Sequence, residues 1–360
     1  MMRKYNFSAG PCTLPLEVLE EAQAEFVDFN GTGMSLIEMS HRSATYDAVH
    51  MEAMGLAKSV FEAPDDFSVL FLGGGATLQF AMVPMNVLRP GERGAYVVSG
   101  EWASKALDDG SHHGDLYAAW DGESVEYNRM PTPDEIEIGP NTRYLHVTSN
   151  ETIGGIRFND FPLVDVPLIG DMSSDYMSRS IPWERFDLVY GGAQKNLGPA
   201  GVDITFVRNS VLEETNRDLG AYLRYDIHAA KNSMYNTPPV FAIYMVGKVL
   251  AWMKAQGGLP VIESLAAQKS SLVYDAIDVS DGFYFSPVDP ASRSHMNVVF
   301  RLPSEALDGE FLSEAGRRNM SGLKGYRTAG GVRASLYNAM PLEGVQALVE
   351  LMADFQSANT

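Results

Sequence analysis

Runs of apolar residues that end in glycine-rich or polar turns recur along the first half of the chain. Phe67–Leu72 is almost entirely apolar and leads into three glycines, and residues 76–88 then carry apolar side chains at helical spacing. A short apolar run bounded by glycine predicts a buried strand, and the spacing after it predicts a helix. The sequence therefore predicts a strand, a glycine loop and a helix in succession.

Further apolar runs predict strands at residues 94–99, 143–148, 164–170, 187–190 and 202–207, and a weaker one at 116–120. Strands that alternate with helices favour an α/β fold, in which a mainly parallel sheet is covered by helices on both faces. Ligands bind at the carboxyl ends of the strands in such sheets. Five residues follow predicted strands directly and are expected along one edge of the sheet: Gly75, Trp102, Thr152, Asp171 and Lys195.

The pattern changes after Arg208. From Gly257 onward it predicts helix, strand, helix, strand and a closing amphipathic helix that includes Leu342, Val345 and Leu348. This order favours a second, smaller α/β domain. We predict a large domain over residues 16–254 and a small domain formed by residues 1–15 together with 255–360.

Composition and charge narrow the classes of function. The 360 residues carry 27 Lys and Arg against 46 Asp and Glu, and this net charge of −19 disfavours nucleic acid and anionic membranes as partners. No apolar run approaches the ~18 residues of a membrane span, and MMRKYNFSAGPC lacks a signal-peptide core, so we expect a cytoplasmic protein. One cysteine, Cys12, excludes an internal disulfide, and without a spacing such as HExxH no metal site is predicted.

Lys195 is the first candidate for chemistry. It lies in DLVYGGAQKNLGPAG, residues 187–201, where glycines lack the Cβ atoms that would keep a flat ligand away from the amine. A solvated loop lysine is the ordinary alternative. The segment GGGAT, residues 73–77, offers free N–H groups at a helix start for a phosphate, or it is a tight turn. It matches neither the dinucleotide-binding nor the P-loop spacing.

Trp102 and Asp171 admit two interpretations each. Trp102 opens a helix beside the predicted edge, where its ring either packs in the core or stacks on a planar ligand. Asp171 ends a strand, where its carboxylate either caps the next helix or pairs with a ring N–H and keeps that ring protonated.

Arginine side chains are the candidates for binding an anionic substrate against the negative net charge. Arg42 follows His41, and Arg327 and Arg333 lie in LKGYRTAGGVRASLYN. Arginine binds carboxylate and phosphate in a bidentate manner, so a set of arginines can hold both ends of a dianionic substrate. Each of them taken alone is more often an ordinary surface residue.

These motifs together resemble the class V aminotransferases, pyridoxal phosphate enzymes of fold type I. The resemblance runs from NFSAGP through SHR, GGGATLQF, NETIGG, GAQKNLGPAG and MYNTPP to GVRASLYNAMPLEG, and so covers nearly the whole chain. It implies that Lys195 bonds covalently to the cofactor, that Trp102 stacks on its ring and that Asp171 pairs with the ring nitrogen. It further implies that Thr152 binds the ring oxygen and that the phosphate is held by Ala76, Thr77 and Gln194.

The same resemblance implies a homodimer and a substrate class. Asn236 and Thr237 match residues that reach the cofactor phosphate of the neighbouring subunit. The residues that match the distal-anion and α-carboxylate positions are His41, Arg42, Arg327 and Arg333. The activity implied is amino transfer from L-glutamate to 3-phosphohydroxypyruvate, giving O-phospho-L-serine and 2-oxoglutarate in serine biosynthesis. The four-carbon analogue of pyridoxine biosynthesis is a further expected substrate.

One departure from the family concerns the distal anion. The family usually has His before the distal arginine, whereas this chain has Tyr326, which can donate a hydrogen bond but does not become cationic. Two alternatives stay open: another class V aminotransferase for a small unphosphorylated amino acid, and a non-catalytic dimeric binding protein of the same fold. The retention of both Lys195 and Asp171 disfavours the second.

Overall fold

The computed structural model describes residues 3–215, 218–327 and 329–360. The strands in that part of the chain are β1 Tyr5–Asn6, β2 Phe67–Leu72, β3 Arg93–Val98, β4 Asp115–Asp121, β5 Thr142–Thr148, β6 Asn150–Glu151, β7 Ile156–Arg157, β8 Leu168–Asp171, β9 Phe186–Gly192, β10 Asp203–Arg208, β11 Asn297–Phe300, β12 Met320–Ser321 and β13 Val332–Ser335. The α-helices are α1 Leu16–Glu25, α2 Ala44–Val60, α3 Gly75–Val87, α4 Glu101–Ser111, α5 Asn209–Glu214, α6 Tyr225–Ala230, α7 Val240–Ala255, α8 Leu259–Asp278, α9 Glu305–Arg317 and α10 Leu342–Asn359.

Seven of these strands form a central sheet in the order β2-β10-β9-β8-β5-β3-β4. The neighbours from β9 to β4 are parallel, whereas β10 runs antiparallel to both β9 and β2. The prediction of a mainly parallel α/β sheet is confirmed, with β10 as an exception that the apolar pattern did not indicate. Residues 193–202 are too few for the helical crossover that a parallel neighbour needs, so β10 returns beside β9.

Strand β8 is shorter than the predicted run of 164–170. It begins at Leu168, directly after Pro167. Proline has no N–H to donate to a neighbouring strand, and it is therefore confined to strand starts and edges. Two of the apolar residues before it, Val164 and Val166, are half-buried and pack against the core from outside the sheet.

Apolar side chains alternate between the two faces of the central sheet. On one face, Phe71 of β2 belongs to a core that includes Val246 of α7. On the other face, Leu70 belongs to a core that includes Phe80 of α3. This alternation follows from the period of two along a strand and buries both faces of the sheet, as the predicted architecture requires.

A separate core lies in the C-terminal part of the chain. Strands β11 and β13 pair antiparallel there, and β1 pairs in parallel with β12. Phe7, just after β1, is fully buried in this core with Phe300, Phe311 and Leu348. The two ends of the chain therefore share one core. The domain limits of 16–254 and of 1–15 with 255–360 stay a prediction.

The carboxyl ends of β2, β9, β8, β5 and β3 point to one edge of the sheet, because β10 is antiparallel to both β2 and β9. The segments that follow these strands are therefore brought together, although they are far apart in the sequence. Among the described residues, no helix combines the length and the apolar character that a membrane crossing requires.

Candidate active site

A cavity of about 290 Å³, here called the inner cavity, opens at this edge of the sheet. A larger cavity of about 620 Å³, the outer cavity, adjoins it and shares Ile153, Tyr326 and Arg333 with it. The inner cavity brings together eight of the residues proposed from the sequence: Ala76, Thr77, Trp102, Thr152, Asp171, Gln194, Lys195 and Arg333.

The amine of Lys195 is held by two hydroxyl groups. Its Nζ donates to Thr152 Oγ1 at 2.8 Å and to Ser174 Oγ at 2.6 Å, and these two oxygens are also in hydrogen-bond contact with each other. Burial lowers the pKa of Lys195 to about 8, and the opposing effect of the Asp171 and Glu151 carboxylates is smaller. About a tenth of the amine is therefore neutral at pH 7, far more than for a solvated lysine.

The glycines beside Lys195 have another role than the one that the sequence suggested. A Cβ on Gly192 would lie 2.4 Å from Gln194 Oε1, and a Cβ on Gly191 would lie 2.6 Å from the Tyr176 ring. These glycines make room for protein side chains, and one of those is Gln194 of the inner cavity. The interpretation that they make room directly for a ligand is not what the packing shows.

Asp171 ends β8 and presents its carboxyl group to the inner cavity. Its Oδ1 accepts the N–H of Ser173 at 2.9 Å, and a turn rather than a helix follows, so the helix-cap interpretation does not apply. Burial raises the pKa of Asp171, while the hydrogen bonds from Ser173 and the Lys195 charge oppose that rise. A protonated ring nitrogen beside this carboxylate would oppose it further.

The first turn of a helix borders the inner cavity at Ala76 and Thr77. Helix α3 begins at Gly75, after Gly74 has taken the left-handed conformation with φ of 91°. The first N–H groups of a helix have no intrahelical acceptor and carry partial positive charge, which suits a phosphate.

Several donors on residues that line the inner cavity are buried without a partner among the described residues. They are Trp102 Nε1, Thr148 Oγ1 and Arg333 Nε. The Trp102 ring lies with its centroid 5.8 Å from Lys195 Nζ. Unpaired buried donors are costly, and all three belong to residues that border the inner cavity.

Comparison with known proteins assigns the chain to a family. The profile described as "Aminotransferase class-V" matches residues 4–348. The chain belongs to the class V aminotransferases. A phosphoserine aminotransferase from Niallia circulans is 52% identical over 358 residues, which is 99% of each chain. The solved phosphoserine aminotransferase of Bacillus circulans subsp. alkalophilus superposes with a TM-score of 0.97 at 51% identity and covers 99% of both chains.

A more distant relative has been solved with the cofactor bound. The PLP-bound phosphoserine aminotransferase of Trichomonas vaginalis superposes on this aminotransferase with a TM-score of 0.93 at 36% identity. The match covers 98% of this chain and 100% of that one. The predictions of an aminotransferase and of its α/β fold are thus confirmed.

Five of the proposed substrate and cofactor residues lie away from the inner cavity of a single aminotransferase chain, and four of them belong to the segments before α2 and α7. Asn236 and Thr237 are exposed and line a separate cleft beside Gly73 and Tyr222. Arg42 is exposed and His41 half-buried in the turn before α2, and neither lines the inner or the outer cavity. Within one chain, therefore, these side chains do not converge on Lys195.

The two arginines near the C-terminus are placed differently from each other. Arg333 on β13 lines both cavities, and its Nη1 donates to the Thr152 carbonyl at 3.4 Å. Arg327 is exposed and lines neither cavity, whereas its neighbour Tyr326 lines both. Burial lowers the pKa of Arg333, although a guanidinium group remains cationic at neutral pH.

Two residues of the site were missed in the sequence. Ser174 binds the Lys195 amine, and Glu151 is buried beside Trp102. Ser174 lies three residues after Asp171, in a run of polar residues that follows a buried strand, and that position was the available signal. Glu151 stands next to Thr152, but a single glutamate carries no local sign of burial.

Proposed function

We propose that this aminotransferase transfers the amino group of L-glutamate to 3-phosphohydroxypyruvate, giving O-phospho-L-serine and 2-oxoglutarate, with pyridoxal phosphate as cofactor. The observation that carries the proposal is the inner cavity, in which Lys195, Asp171 and Trp102 meet beside the first turn of α3. Relatives that are about half identical over the full chain carry the name phosphoserine aminotransferase, which supports the choice of substrate.

Different residues would bind different parts of the cofactor. Lys195 would bond to the cofactor through Nζ, Asp171 would keep the ring nitrogen protonated and Thr152 would bind the ring oxygen. The N–H groups at Ala76 and Thr77, together with Gln194, would hold the phosphate. When bound, pyridoxal phosphate supplies a sink for the electrons that remain after the substrate Cα loses its proton.

Lys195 would also move that proton. Its pKa of about 8 lies close to neutrality, so the amine can take a proton at Nζ and return it in the same pH range. The hydroxyls of Thr152 and Ser174, 2.8 and 2.6 Å from Nζ, keep the amine directed into the inner cavity. Arg333 would bind the α-carboxylate of either substrate from the wall that both cavities share.

We further propose a cytoplasmic homodimer with shared active sites, in which Asn236 and Thr237 act on the neighbouring subunit's cofactor. Large apolar side chains are exposed near that segment: Phe26, Phe241 and Tyr235 are 47%, 36% and 46% accessible, and the rings of Phe26 and Phe241 are in contact. A surface with several exposed aromatic rings is typical of a contact between subunits.

Subunit mixing tests the shared site. The variant Lys195→Ala and the double variant N236A/T237A are each expected to be inactive, whereas an equimolar mixture that exchanges subunits recovers about a quarter of the wild-type activity. Half of the dimers would then be mixed, and each mixed dimer would hold one intact site of its two. A mixture that stays inactive while native mass spectrometry shows mixed dimers would refute the shared site.

The substrate is tested by comparing kcat/KM for 3-phosphohydroxypyruvate and hydroxypyruvate with glutamate as donor. We expect a preference of at least about 10²-fold for the phosphorylated compound, because hydroxypyruvate lacks the second anion that Arg42 and Arg327 are proposed to bind. The four-carbon phosphorylated analogue is expected to react as well. Equal rates with and without the phosphate would favour an aminotransferase for unphosphorylated amino acids, for which Tyr326 in place of a cation is the supporting observation.

A further inference from the structure

Glu151 is a buried carboxyl group at the start of helix α4. It lies in the short hairpin of β6 and β7, and its side chain is 1% accessible. Its two oxygens accept the N–H groups of the first turn of α4: Oε2 accepts from Trp102 at 3.3 Å and Oε1 from Ala103 at 3.0 Å. Helix α4 has no side-chain cap of its own, because its N-cap residue is Gly100.

Gly100 gives the carboxyl group access to the helix. A Cβ on Gly100 would lie 2.8 Å from Glu151 Cδ, which is closer than real Cβ contacts come. The φ of Gly100 is 166°, an extended conformation that other residues also adopt, so the requirement for glycine here comes from the neighbouring carboxyl group.

The charge of Glu151 matches its position. A negative charge near a helix N-terminus is favourable, and two backbone N–H groups stabilise it further. Burial nevertheless raises the pKa of Glu151 to about 7, in spite of the opposing hydrogen bonds from Ala103 and Trp102. The fold thus retains a carboxyl group whose ionised form is destabilised by burial, and both of its oxygens accept hydrogen bonds from α4.

We propose that Glu151 is a positioning residue: by accepting the two N–H groups at the start of α4, it holds the Trp102 ring in place over the cofactor. The inference rests on the proposed pyridoxal phosphate site. Trp102 has few other polar anchors, since its Nε1 is unpartnered among the described residues. Glu151 also directly precedes Thr152 in the chain. The short hairpin of β6 and β7 therefore supplies both the acceptor for the Trp102 N–H and the residue proposed to bind the ring oxygen.

The test measures cofactor affinity rather than turnover. Cofactor-free protein is titrated with pyridoxal phosphate, and the dissociation constant and the circular dichroism of the bound cofactor are recorded. We expect Glu151→Ala to weaken binding about tenfold and to reduce the dichroism, because two N–H groups at the start of α4 lose their acceptor. Glu151→Gln, which keeps one acceptor oxygen, is expected to recover part of both signals.

Gly100→Ala is a second variant that displaces the carboxyl group without removing it. It is expected to reproduce the direction of the Glu151→Ala result, and thermal melting of each variant shows whether the fold is intact. The matched control is Asp108→Asn, an exposed carboxylate on the same helix, which should leave the dissociation constant within about twofold of wild type.

A double-mutant cycle with Trp102→Ala decides whether Glu151 acts through Trp102. The variant E151A/W102A should bind the cofactor no more weakly than W102A alone, within about twofold. The inference would be overturned if the two substitutions raise the dissociation constant multiplicatively, or if Glu151→Ala binds the cofactor like wild type. Either outcome would leave the proposed function intact. A wild-type protein that binds no pyridoxal phosphate would instead overturn the proposed function, and this inference with it.

Discussion

The cofactor side of the inner cavity is assembled from the ends of neighbouring strands, whereas the proposed distal-anion residues lie on turns. Asp171 ends β8, and Lys195 follows β9, so the sheet itself sets their separation. His41, Arg42 and Arg327 belong to no strand of that sheet, and in one chain none of them lines the inner cavity.

A single chain thus positions the proposed cofactor residues by itself, but it does not bring the proposed distal-anion residues to the inner cavity. Hydrogen bonds between strands fix the cofactor residues before any ligand arrives, and such preorganisation favours tight binding and directed chemistry. The proposed distal-anion residues would need movement, a second subunit or both to meet a substrate phosphate. Substitutions of the cofactor residues should therefore mainly lower kcat. Substitutions of the proposed distal-anion residues should mainly raise KM.

The largest effect is expected for Lys195→Ala. Loss of the amine removes both the covalent anchor and the proton carrier, so kcat should fall by at least about 10⁴-fold. The yellow absorbance that borohydride abolishes in the wild type should also be absent. Lys254→Ala, an exposed lysine of α7, is the control and should behave like wild type. A Lys195→Ala protein that kept a borohydride-sensitive absorbance would contradict the assignment.

Asp171→Asn should come next. The amide can still accept the Ser173 N–H that now lies 2.9 Å from Oδ1, so folding should be little affected. It carries no charge to keep a ring nitrogen protonated, and kcat should fall by about 10²- to 10³-fold. Steady-state kinetics and the absorbance of the bound cofactor provide the measurement. An unchanged kcat would show that the carboxylate has a structural role.

Arg42→Ala tests the other region. If Arg42 binds the distal anion, KM for both glutamate and 3-phosphohydroxypyruvate should rise by about 10- to 100-fold with a much smaller change in kcat. Arg89→Ala, which removes a surface ion pair with Glu214, is the control and should leave both constants unchanged. Mixing Arg42→Ala with Lys195→Ala subunits then shows which subunit supplies the arginine. A fall in kcat at constant KM would remove the proposed difference between the two regions.

The pH dependence of cofactor uptake should follow the Lys195 amine. Only the neutral amine attacks a carbonyl carbon, and the pKa of Lys195 in the cofactor-free protein is about 8. The rate of pyridoxal phosphate uptake should therefore rise roughly tenfold per pH unit below that pKa and level off above it. Stopped-flow absorbance measures this rate. A rate that keeps rising well above pH 8 would show that burial does not lower this pKa.

Tyr326→His should give the smallest effect. Below about pH 6.5 the imidazole becomes cationic, and KM for 3-phosphohydroxypyruvate should then fall by about two- to fivefold relative to the wild type. The advantage should disappear as the pH rises and the imidazole loses its proton. Tyr326→Phe is the control for loss of the hydroxyl group. A pH-independent change in KM would indicate a steric effect instead.

Much of the large sheet could be predicted because its signals are local. The apolar run at Phe67–Leu72 and the glycines after it are properties of a few adjacent residues, and the strand and helix lie where they predict them. The antiparallel direction of β10 could also have been expected from the short connection after β9. The late start of β8 within the predicted run at 164–170 depends on Pro167, again a local feature.

Other parts of the site depend on contacts between distant residues. The hydrogen bond from Lys195 to Thr152 spans 43 positions, and the one from Ala103 to Glu151 spans 48. Which serine or glutamate is buried is decided by the order of strands in the sheet, and no property of the local sequence reports that order. Thr152 was indicated by its position after a predicted strand, and the resemblance to a family supplied its role. Ser174 had only its position shortly after Asp171 as a signal, and Glu151 had none.

The pairing of β1 with β12 has a consequence for how the chain folds during synthesis. All strands of the central sheet lie between Phe67 and Arg208, so that sheet can form while the ribosome is still translating the remainder. Tyr5 pairs with Met320, and Phe7 belongs to a core that includes Phe311, so neither residue reaches its place until those later segments have been synthesised. The N-terminal segment thus joins the smaller core only late in synthesis, so a nascent chain that stalls before residue 320 leaves strand β1 without the strand that it pairs with.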